Sequence, residues 1–221
     1  MFAFPASTIV NRVIPKARII AQAQPRTRLR ALLTSQVQQI RWHAKLSPET
    51  VKLAATGEVP EIEVLQLELK GAEIHPDLLD LVDRAIPNPT LLLLEASTPQ
   101  PRSCASCAHK RPSENDRSKW VVGARFTSDW VASPEESAAP PLPRALDLGQ
   151  LYAAIMQPLL PVSAREGEPF ASLVERGEKH RGLSRQIEQL TAKVNREPQF
   201  NRRVALNQQL NSLKSHFAEL A

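Results

Sequence analysis

A chain of 221 residues with 42% hydrophobic content can hold one core domain plus an appendage. Its longest aliphatic run, residues 91–94, is far below the roughly 20 apolar residues of a membrane helix, so a soluble, cytoplasmic protein with no membrane partner is expected. The net charge of +5 conceals basic ends around an acidic middle: residues 1–45 carry eight basic groups and no acid, and residues 46–100 carry three against ten.

Residues 1–25 read as short extended pieces, Ser7-Thr8-Ile9-Val10 and Arg18-Ile19-Ile20, punctuated by Pro5, Pro15 and Pro25. An Arg-rich start without acids is similar to a transit peptide, but prolines interrupt the amphipathic helix such a peptide needs. A helix is predicted over 27–44, with Leu29, Leu32, Leu33, Val37, Ile40 and Ala44 on one face. Its other face carries Arg30, Thr34, Gln38, Arg41 and Lys45, a polar row that either tracks a phosphate backbone or is solvated. Ser47-Pro48-Glu49 predicts a cap and a short helical turn.

From Glu61 the pattern alternates: Ile62, Val64, Leu67 and Leu69 interleave with acids and Gln66, which predicts a strand with an exposed acidic face. His75-Pro76-Asp77 opens a helix that Pro87-Asn88-Pro89 stops. Residues 90–96 predict a central strand, because 91–94 are apolar in both directions. Residues 97–118 are rich in Ser, Pro and Arg and read as a loop too polar for the core. Strands follow over 120–126 and 128–131, then a loop over 133–143 and a helix over 145–156.

The end of the chain carries an interrupted heptad pattern. Leu183, Ile187, Leu190 and Val194 form one seam, and Leu206, Leu210, Leu213, Phe217 and Leu220 form another after Pro198. The short break predicts an antiparallel helical hairpin, closed by Phe200 and Val204. The expected class is therefore α+β: a small, mostly antiparallel sheet with flanking helices over 1–161, and a coiled-coil hairpin arm over 169–221.

No nucleophile elbow, phosphate loop or zinc-peptidase motif occurs, and no cofactor is expected. Cys104-x-x-Cys107 with His109 offers three metal ligands where structural zinc takes four; two incidental thiols is the simpler reading, and two cysteines make no disulfide framework. Glu68-x-Lys70 ending a strand, with Glu63 and Glu95 nearby, is the pattern a metal-dependent nuclease would use, although an alternating solvated face explains the same residues. Arg12, Lys16, Arg30, Arg41, Lys45, Arg202 and Arg203 are the candidate nucleic-acid contacts. The arm suits a partner protein at least as well, because a helix seam is all that helix-in-groove recognition requires.

Several short motifs add a resemblance. Phe4-Pro5-Ala6-Ser7-Thr8, Arg12-Val13-Ile14-Pro15-Lys16, Lys45-Leu46-Ser47-Pro48-Glu49-Thr50, Val59-Pro60-Glu61-Ile62-Glu63-Val64, Ile86-Pro87-Asn88-Pro89, Ser128-Asp129-Trp130 and Ala145-Leu146-Asp147-Leu148 recur in order. With Gln199-Phe200-Asn201-Arg202-Arg203-Val204 and Leu206-Asn207 they resemble the bacterial and archaeal family known as domain of unknown function 4391. The resemblance carries no activity onto any residue. It implies an accessory subunit of restriction-like or phage-defence systems, with a helicase or DNA methyltransferase as partner and DNA or RNA nearby. Phe200, Asn201, Leu206, Asn207 and Leu210 are then the partner-binding candidates. It also implies that residues 1–25 belong to the fold.

Overall fold

The computed structural model describes residues 2–113, 115–116, 120–132 and 139–220. The chain divides into two units, Met1–Leu159 and Leu160–Ala221. The first is an α+β domain built on a mixed seven-stranded sheet.

The strands are β1 (Ile9–Val13), β2 (Val37–Leu46), β3 (Ile62–Leu69), β4 (Thr90–Ala96), β5 (Arg102–Pro112), β6 (Trp120–Thr127) and β7 (Val131–Ala132). They lie in sequence order from β1 to β6, with β7 pairing β5. Every pair is antiparallel except β3 and β4, which run parallel. A parallel pair needs a crossover, and α4 (Pro76–Ala85) supplies it. Helices α1 (Lys16–Ala23), α2 (Thr27–Gln36) and α4 cover one face, where Ile19, Leu33, Leu78, Leu81 and Val82 meet Ile40, Leu65, Leu67, Leu92, Leu94 and Cys104. Alternation turns Leu91, Leu93 and Cys107 the other way, toward α5 (Leu148–Met156). There Tyr152 donates to the carbonyl of Ala108 at 2.5 Å and accepts from the Lys110 amide at 3.2 Å.

The helix expected over 27–44 ends at Gln36, and the remainder is β2. Two register shifts in β2, between Val37 and Gln39 and between Trp42 and Ala44, explain the misreading. Each bulge displaces the alternation, so the buried Val37, Ile40 and Ala44 fall three and four residues apart as on a helix. The polar row from Arg30 to Lys45 is consequently not continuous. Arg18-Ile19-Ile20, expected extended, lies in α1. Ser47 caps α3 (Pro48–Val51) with a reciprocal capping box, as its sequence requires.

The largest correction falls on residues 97–118. Residues 102–112 form β5, an interior strand, instead of a loop. Two of its buried polar side chains have partners: Ser106 bonds Thr127 at 2.8 Å, and Lys110 pairs with Asp83 at 2.7 Å. Hydropathy counts polarity and cannot see that pairing. Part of the expected loop at 133–143, residues 133–138 with Glu135 and Glu136, lies outside the described residues.

In the second unit α6 (Phe170–Arg196) and α7 (Phe200–Leu220) pack together as the seams require, with Val194 and Leu210 buried. Phe200 and Val204 do not close the hairpin; they are 68% and 40% exposed.

Candidate functional sites

The basic residues expected to form a nucleic-acid face are dispersed by the fold. Lys16 donates to the carbonyl of Val37, and burial together with Lys70 lowers its pKa. Lys45 is ion-paired with Glu61, whose hydrogen bond raises the lysine pKa. Arg30 bonds the carbonyl of Pro25 at 3.0 Å, and Arg41 bonds Asn11 Oδ1 at 3.0 Å. Arg12 remains exposed on β1, and Arg202 and Arg203 remain exposed on α7.

The carboxylates considered for metal chemistry separate as well. Glu68 and Glu95 are register partners on the parallel pair and are half-buried. Glu63 lies five residues back along a regular strand and therefore on the opposite face. Lys70 follows β3 at the surface, close to Lys16. Among the described residues no group of three or more His, Cys, Asp or Glu side chains is arranged to hold a metal ion. Cys104 and Cys107, three residues apart, face opposite sides of β5. Burial pushes both thiols up to about 12, so neither is a ready thiolate ligand.

The arm presents two surfaces. Leu206 and Leu210 lie on the seam against α6, and Leu210 is buried. Phe200, Asn201, Val204 and Asn207 are all exposed, and Phe200, Val204 and Asn207 follow one another at four- and three-residue steps along α7. Arg196, Arg202 and Arg203 are exposed beside them.

A second arrangement has no counterpart in the sequence reading. The register of β1 on β2 sets Arg12 opposite Trp42, and α1 folds back over them. Between these elements, β3 and the segment after α4 lies a cavity of about 350 Å³. Val13, Ile14, Ile19, Leu65, Ile86 and Pro87 form its apolar walls. Its polar groups are Arg12, Arg18, Gln22, Trp42, Glu63 and Asn88. Glu63 is only 7% exposed. Burial, reinforced by the neighbouring Glu61 carboxylate, raises its pKa to about 7. Asn88 and Trp42 lie near enough to oppose that rise. Neither Glu63 Oε2 nor Trp42 Nε1 completes a hydrogen bond, although both atoms are buried. Asn88 Nδ2 and Lys45 Nζ both bind Glu61 instead. Arg12, Glu63 and Pro87-Asn88-Pro89 stood out in the sequence, each for a different reason. Arg18 and Trp42 reach the cavity through a helix turn and a strand register, which leave no local pattern.

A mixed sheet with a covered core, a polar-lined cavity and a separate helical hairpin defines an α+β domain with an appended arm. The chain belongs to the family described as Domain of unknown function (DUF4391), whose model matches residues 2–217. No curated protein and no solved structure matches the chain.

Proposed function

We propose that this protein is a non-catalytic accessory subunit of a DNA-processing, restriction-like or phage-defence complex, and that the tip of its arm docks on a partner protein. The observation that carries this reading is the exposure of Phe200 and Val204, one turn apart at the start of α7. A hairpin needing these side chains for itself would bury them. An aromatic anchor flanked by Arg196, Arg202 and Arg203 matches the makeup of protein-binding hot spots. The partner surface that fits is an apolar groove rimmed by carboxylates, on a helicase or DNA methyltransferase. Arg202 and Arg203 on the arm, and separately Arg12 on the sheet domain, are left for phosphates of DNA or RNA.

The test is affinity purification from the native host using wild type and a Phe200→Ser/Val204→Ser variant, each with and without nuclease. Nuclease-resistant recovery of a helicase or methyltransferase by wild type, lost in the variant, is the expected result. Recovery unchanged by the variant, or no nuclease-resistant partner, overturns the proposal. The alternative, a metal-dependent nuclease, draws on Glu68 and Glu95 lying side by side near Lys70. It requires Mg²⁺-dependent cleavage by the isolated chain that Glu68→Gln abolishes.

A further inference from the structure

The cavity between β1, α1, β3 and the segment after α4 lies outside the arm-docking reading, and it has the makings of a ligand site. Its volume of about 350 Å³ falls within the range of small-molecule pockets. Its walls are apolar and its polar groups few. Two of those, Glu63 Oε2 and Trp42 Nε1, are buried without hydrogen-bond partners. Leaving a buried donor or acceptor unpaired is costly, so such a pair marks a place where another molecule supplies the missing bonds.

The types of the two atoms constrain what fits. Trp42 Nε1 is a donor only, and an ionised Glu63 is an acceptor only. The ligand must therefore offer an acceptor to one and a donor to the other, close together. The Watson–Crick edge of a nucleobase, an N–H beside an acceptor, has that form. Exposed Arg12 and Arg18 line the same cavity, and neither is ion-paired among the described residues. Arg18 also sits in the first turn of α1, where the helix dipole favours an anion. Two guanidiniums on one side match a phosphate.

We propose that this cavity binds a nucleotide, with the Watson–Crick edge of its base directed at Glu63 and Trp42 and its phosphate held by Arg12 and Arg18. The apolar walls Ile14, Ile19, Leu65, Ile86 and Pro87 enclose the base. The nucleotide is either free or the terminal residue of a single strand; the chemistry at the cavity is common to both.

Calorimetric titration of the full chain at pH 8 with GMP, UMP, AMP, inorganic phosphate and a short oligouridylate tests this. That pH keeps Glu63 ionised, given its raised pKa beside Glu61, with Lys45, Arg12 and Arg18 as the cations around it. At least one nucleotide is expected to bind saturably and at least about tenfold more tightly than inorganic phosphate, a factor equivalent to about 1.4 kcal/mol. Arg18→Ala, a surface change, is expected to weaken binding about tenfold, and Trp42→Phe, which removes the donor to the base, to reduce the advantage of the nucleotide over phosphate. Tighter binding of the oligouridylate than of UMP assigns the site to a strand end, and equal or weaker binding assigns it to the free nucleotide. Absence of saturable binding for every nucleotide at roughly millimolar concentration, no advantage of any nucleotide over inorganic phosphate, or indifference to Arg18→Ala overturns the proposal.

Discussion

Lys110 on β5 and Asp83 on α4 form an ion pair, Nζ to Oδ1 2.7 Å, in which neither side chain has any solvent exposure. The ammonium also donates to Thr90 Oγ1 at 2.8 Å and to the carbonyls of Asn88 and Ile86 at 2.9 and 3.0 Å. Arg125 completes the set, bridging Asp83 and, at 3.0 Å, Asp80. Burial lowers the Lys110 pKa and Asp83 opposes that shift. Buried charges survive only when paired this fully. The pair ties the interior strand to the crossover helix.

Removing Asp83 is therefore worse than removing Lys110. Asp83→Leu leaves Lys110 and Arg125 without their shared anion, whereas Lys110→Met leaves Asp83 with Arg125. Urea unfolding is expected to show a loss of about 3–5 kcal/mol for Asp83→Leu and a smaller loss for Lys110→Met. Equal losses would show that Arg125 does not compensate.

Glu63 predicts an inverted pH dependence. Its pKa is raised from the ordinary 4.5 to about 7, so the folded chain holds a proton that the unfolded chain has released within that window. Stability falls as pH rises through the window, by about 3 kcal/mol from this group, and then levels off. Glu63→Gln is expected to remove that decline and to unfold at higher urea than wild type at pH 8. A wild-type curve rising from pH 5 to pH 8, with no gain in the variant, would contradict the assignment.

Arg176 holds the base of the arm. It bonds Glu168 Oε1 and Oε2 at 2.9 and 2.7 Å, the Ser163 carbonyl at 2.5 Å and the Leu220 carbonyl at 2.7 Å. The arginine hydrogen bond holds the Glu168 carboxyl down at about 2. A depressed carboxylate pKa contributes stability above the ordinary 4.5, and that contribution is lost as pH falls through the folded value. Hydrogen exchange in the last turn of α7 is expected to accelerate at pH-corrected rates near pH 2 and, at neutral pH, in Arg176→Ala. Unchanged protection in the variant would mean that seam packing alone fixes that end.

Cys104 and Cys107 are expected to resist a thiol reagent at pH 8 in the folded state, since burial pushes both up to about 12. Both should react at once in denaturant. Native-state labelling at the unfolded rate would place β5 at the surface.

Local patterns decided much of this fold. Alternation in 62–69, the apolar 91–94 block, Pro76 at a first helical turn and the two heptad seams each specify an element through contacts along one segment, and β3, β4, α4 and the arm follow from them. Tertiary structure decided the rest, because the determining partners are distant in sequence. Bulges opposite β3 turned a helical spacing into β2. Asp83, 27 positions before Lys110 and on another element, made a polar segment an interior strand. Arg12, Arg18, Trp42, Glu63 and Asn88 carry no shared motif, and only the β1–β2 register and the fold of α1 bring them to one cavity. A sequence displays polarity residue by residue, whereas burial and pairing are properties of two segments at once.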